Sequence, residues 1–166
     1  MILAVQTDGF SHDSKVLSIG IKTPNQTRFW NIWEYSSEKQ LIENFINYFT
    51  SVDDKIIIGF NVLKFDIPLL LLKSYGLTSF DRFFKKINFS NIEDLFMILT
   101  FINQGIIKGL DHYIKKYGIE IVIPSDRELV RLYNNQEYER FKIGFGKKLD
   151  AIDRLFVKIW GRIKEV

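Results

Sequence analysis

Between residues 55 and 75 the chain reads KIIIGFNVLKFDIPLLLLKSY, a short apolar run, a Gly-Phe-Asn break and a second apolar run opening with Asp66 and Pro68. Lys55 to Phe60 is continuously apolar after its first residue and has no alternation, which predicts a strand buried on both faces. The segment from about Asp66 to Tyr75, with Pro68 just inside it and Gly76 behind it, predicts a helix. A strand of that kind needs helical cover, as in an α/β fold.

The remaining pattern agrees. Met1 to Asp8 reads as a buried strand closed by the Asp8-Gly9 turn pair. Lys15 to Thr23 alternates as a second strand, and Pro24-Asn25 turns the chain into a third over Thr27 to Tyr35, an antiparallel hairpin. Ser37 and Gln40 form a capping box ahead of Leu41, Phe45, Tyr48 and Phe49 at helical spacing. A fifth strand is predicted over Phe89 to Asp94, then helices over Leu95 to Asn103, Leu110 to Tyr117 and about Gly146 to Lys164. On the third strand, Phe29, Trp33 and Tyr35 cannot share a side with Trp30. They read as core or partner packing.

The 166 residues are enough for one domain, and no linker, repeat or low-complexity tract divides 1–166. With no cysteine there is no disulfide or thiolate metal site. The apolar runs fall short of the roughly 20 residues a membrane span requires, and no leader is visible at Met1. These features lead us to expect a cytoplasmic protein without a membrane partner. The net charge of +3 permits phosphate binding without demanding it.

Gly59-Phe60-Asn61, three residues, then Phe65-Asp66-Ile67-Pro68-Leu69-Leu70 resembles the second motif of the DnaQ-like (DEDD) 3′–5′ exonucleases, closest to the proofreading domains of family B DNA polymerases. The resemblance implies a ribonuclease H-like fold: a mixed five-stranded sheet, three antiparallel strands followed by parallel ones, flanked by helices. It also implies two divalent cations roughly 4 Å apart, held by four carboxylates from three motifs. Asp66 stands at the third carboxylate position, and Asn61 and Phe65 at positions that shape the substrate groove. Asp66 alone also suits a helix N-cap.

The other motifs depart from the family. Thr7-Asp8-Gly9-Phe10 fixes the first motif's register, which puts Ala4 where the resemblance requires a metal-bridging Asp and Gln6 where it requires Glu. Alanine offers no ligand and glutamine only a neutral carbonyl. Asp8 shares their strand face but lies about 13 Å beyond position 4, and reads as a turn residue. In the third motif Asp150 takes the acidic position and Gly146 that of the usual Tyr; Asp153 is a competing alignment with Leu149 at the Tyr position. His12 and His112 are isolated. Arg82, Lys85 and Lys86, and Lys142, Lys147 and Lys148, read as solvated surface unless they flank the groove.

The sequence is therefore read as an exonuclease-like domain with degenerate catalytic positions at Ala4, Gln6, Asp66, Gly146 and Asp150. The expected role is a nucleic-acid-binding or protein-partner module linked to DNA replication or repair. Asn61, Lys64, Phe65, Lys147 and Lys148 are the nucleic-acid contacts on this reading. No cofactor is expected; Mg²⁺ or Mn²⁺ on Asp66 and Asp150 belongs to the alternative of a residual exonuclease on single-stranded DNA or RNA. A structural role as a homo-oligomer is a third alternative.

Overall fold

The computed structural model describes residues 1–11, 13–52 and 56–163. His12 and Lys55 lie outside these residues. Strands β1 (Ile2–Thr7), β2 (Val16–Lys22), β3 (Thr27–Asn31), β4 (Ile57–Gly59) and β5 (Ile92–Asp94) form one sheet in the order β3-β2-β1-β4-β5. The first three pair antiparallel, and β4 and β5 join in parallel. This is the mixed α/β sheet expected from the sequence, with the β4 strand buried at all three residues.

Helices cover both faces. The register sets Gly20 between Ala4 on β1 and Phe29 on β3, so the three side-chain positions share one face. That face meets α7 (Tyr138–Ile163): Phe29 packs on Phe145 with ring centroids 5.9 Å apart. A Cβ on Gly20 would lie 2.7 Å from Leu149 Cδ1 and 3.0 Å from Phe145 Cε1, so glycine lets the helix approach this closely. Trp30 points the other way, edge-on to Phe45 of α1 (Glu38–Ser51). Phe45 and Phe49 continue onto Phe83 of α3 (Phe80–Lys86). The opposite orientations of Phe29 and Trp30 thus sort the core into two layers.

The third strand ends at Asn31, earlier than the sequence suggests, and Ile32–Glu34 forms a 3₁₀ turn. Trp33 leaves the sheet and stacks on Tyr138 at 4.4 Å, so it joins β3 to the start of α7. Helices α2 (Ile67–Ser74), α4 (Leu95–Ile102) and α5 (Leu110–Lys116) fall where periodicity places them. Other features depart from expectation: Phe89–Asn91 forms a 3₁₀ turn, so β5 is shorter than its predicted span, α6 (Asp126–Asn134) is an additional helix, and α7 begins at Tyr138, two turns before Gly146. Ser125 caps α6 by accepting a hydrogen bond from the Glu128 N–H at 3.2 Å, and Phe141 and Phe145, both buried, carry the α7 core stripe upstream of Leu149. Among the described residues no helix is long and apolar enough to cross a membrane.

Candidate functional site

Asp66 enters the site from a single π-helical turn, Val62–Asp66, that links β4 to α2. The turn starts at Asn61, whose φ of 68° is a left-handed conformation that asparagine tolerates. Gly59 is needed just before it, because a Cβ there would come within 2.7 Å of the Val62 Cβ and 3.0 Å of the Leu3 carbonyl. The turn is pinned from the neighbouring strand. Asp94, buried at the end of β5, accepts hydrogen bonds from the N–H groups of Asn61 (2.9 Å), Leu63 (2.9 Å) and Phe96 (3.0 Å), so one carboxylate both holds the turn and caps α4.

The Asp66 side chain makes no N-cap hydrogen bond to α2. It turns instead toward β1, where the Val5 N–H bonds it. Burial raises its pKa to about 8, against the opposing pull of Lys148 and the Val5 hydrogen bond; Asp94 and Asp126 push it further up. Desolvation outweighs the nearby ammonium because Asp66 is only 6% exposed.

A cleft of about 140 Å³ opens over this group. Ala4, Gln6, Asn61, Phe65 and Asp66 all line it, together with Lys148 and Ile152 on one face of α7. Lys148 Nζ bonds Asp126 Oδ1 at 2.8 Å and lies 3.5 Å from Gln6 Oε1. Asp126, from the first turn of α6, thus adds a carboxylate that none of the three sequence motifs contains. The pattern Ser125-Asp126-Arg127-Glu128, a capping box ahead of Leu129 and Leu132, is the signal that could have found it.

The other expected site residues are placed elsewhere. Asp150 and Asp153 both pair with Lys22, each at 2.8 Å. Burial of Lys22 pulls its pKa down, but hydrogen bonds and charge from the two aspartates leave it raised overall. Gly146 faces Phe29, whose Cζ would stand 3.6 Å from a Cβ there, and so does not overlook Asp66. Lys147 borders a separate groove with Pro124 and Ile143. Lys64 is exposed over the Phe96 ring. Arg82 and Lys86 bond α1 and its C-terminal end, and Lys142 pairs with Glu34. Asp8 accepts from the Lys15 N–H at 2.8 Å, its expected turn role. His112 lies exposed on α5, edge-on to Tyr113.

A pair of divalent cations needs several carboxylate oxygens converging on one point. The carboxylates lining this cleft are Asp66, which is buried, and Asp126, which is already bonded to an ammonium; Gln6 adds only a neutral amide oxygen. Ala4 and Ile152 add none. This set does not fit two divalent ions. Among the described residues, no group of three or more His, Cys, Asp or Glu side chains is placed to hold a metal.

Comparison with known proteins gives a consistent lineage. The structure of the family B DNA polymerase from the hyperthermophilic archaeon Pyrobaculum calidifontis aligns over 98% of this chain with a TM-score of 0.65 and 13% identity. The chain spans 24% of that polymerase's length, and at this identity the match establishes the fold. No curated protein sequence matches the chain. A family model described as DNA polymerase family B, exonuclease domain, matches residues 7–123, a span that holds the Asn61 to Asp66 turn and Asp94 but not Ala4, Gln6 or Lys148. The chain belongs to the family of DNA polymerase family B exonuclease domains.

Proposed function

We propose that this exonuclease domain binds single-stranded nucleic acid in the inherited cleft without cleaving it. The observation that carries the reading is Lys148: its ammonium stands between Gln6 and Asp126, beside Asp66, where two-metal hydrolysis would need converging carboxylates. Binding itself needs little of the lost chemistry. Phe10, 78% exposed, shares the cleft lining with Phe60 and Phe65, and bases stack on such rings whatever their sequence. Arg127, beside Phe10 at the margin, and exposed Lys64 supply charge for a phosphate backbone.

Fluorescence anisotropy with a labelled oligonucleotide in EDTA tests this reading. The expected result is binding whose log affinity falls linearly with log salt, at a slope of about 0.7 per phosphate contact. Phe10→Ala and Phe65→Ala should each weaken it by about 1–3 kcal/mol if the rings stack on bases. No affinity at low salt, together with a stable dimer, would favour an interaction role instead.

A further inference from the structure

The cleft disagrees with the divalent-ion chemistry of its family in a specific way, and the disagreement centres on one side chain. Lys148 differs from the other lysines of its segment. Lys142 pairs with Glu34 and Glu139 at the surface, and Lys147 borders the separate groove beside Ile143. Lys148, with a side chain 19% exposed, reaches Asp126 at 2.8 Å and Gln6 at 3.5 Å, and lines the same small cleft as Ala4 and Asp66. Two carboxyl groups, one amide oxygen and one cation are therefore gathered from β1, the π turn, α6 and α7. Asp126 and Lys148 also line a neighbouring groove of about 880 Å³ between α5 and residues 119–125, so the pair sits at the junction of the two cavities.

We propose that the Lys148 ammonium is the resident cation of this cleft, standing against Asp66, Asp126 and the Gln6 carbonyl in place of a divalent ion and closing the site to one. The inference deepens the binding reading and rests on it for the nature of the ligand, since nucleic acid held beside a tethered ammonium requires no Mg²⁺ or Mn²⁺. The physical basis is exclusion. A divalent ion entering the cleft meets a like charge that cannot diffuse away, and finds the Asp126 carboxylate already engaged by it. Ala4 is part of the same arrangement. It sits opposite Gly20 and lines the cleft with Lys148, where its methyl group supplies no metal ligand.

The test is Mn²⁺ binding by the full chain, followed by electron paramagnetic resonance and by thermal melting. Wild type is expected to hold no stoichiometric Mn²⁺ at micromolar concentrations, and its Tm is expected to be the same in EDTA and in millimolar Mn²⁺. Lys148→Met, which removes the charge and keeps the stem, should gain a Mn²⁺-dependent rise in Tm of a few degrees. The double variant Lys148→Met/Asp66→Asn should lose that rise. Tight Mn²⁺ binding by wild type overturns the proposal, as does a Lys148→Met response no larger than wild type. If Lys148→Met does not fold, the wild-type resonance measurement decides alone, with Lys148→Arg expected to be equally silent. A wild type that binds Mn²⁺ yet still binds oligonucleotide in EDTA overturns this inference and leaves the binding reading standing.

Discussion

Asp66 and Asp94 are both buried aspartates near the π turn, and their surroundings give them opposite tasks. Asp94 accepts three backbone hydrogen bonds and holds the turn against β5. Asp94→Ala removes the carboxylate that accepts all three bonds, the α4 cap among them, and is expected to cost about 2–4 kcal/mol in urea unfolding. Asp66, by contrast, has its pKa raised from an ordinary 3.8 to about 8. Its folded form therefore binds a proton that the unfolded chain has already released across that window. The stability it contributes is fully present below about pH 4 and is lost as pH rises to about 8, on the order of 5 kcal/mol in all. Asp66→Asn should flatten this part of the stability–pH curve and stabilise the protein at pH 8, measured as Tm across pH 5 to 9. A larger loss of stability in the variant at high pH than in wild type would contradict the assignment.

Among elements, the π turn and α7 decide what the site can be. The β4–turn–α2 unit was legible because its requirements are local: an apolar strand, a glycine where β1 approaches, an asparagine in left-handed backbone, then Phe-Asp-Ile-Pro. The orientation of α7 was not. Its residues follow a helical period that fixes which positions share a face but not which face meets the sheet. Counting from the family's third motif put Asp150 at the site, whereas packing of Phe145 and Leu149 against Gly20 turns Lys148 and Ile152 into the cleft and leaves Asp150 on Lys22. Asp126 was missed because α6 was missed, although its capping box is plain in the sequence. Gly20→Val should expose the dependence on close helix approach by driving side chains into Leu149 and Phe145, at a cost of about 1–3 kcal/mol in chemical denaturation. A neutral result would mean that α7 can shift on the sheet, and its facing would then need another cause.

At the scale of the whole molecule, the sheet and its two helical layers are those of a polymerase exonuclease domain, and Ala4, Gln6, Asp66, Asp126 and Lys148 line the cleft at their centre. The Lys148 ammonium is bonded to Asp126 there, and the exposed ring of Phe10 stands at the cleft margin. Fold and groove depend on burial and backbone hydrogen bonds, not on the charge of a few cleft residues. The most direct measurement is a nuclease time course on a 3′-overhanging single strand with Mn²⁺, comparing wild type with Asp66→Ala at matched concentration. The account predicts no product from either protein, with both still binding the strand in EDTA. Mn²⁺-dependent digestion by wild type that disappears in Asp66→Ala would contradict it.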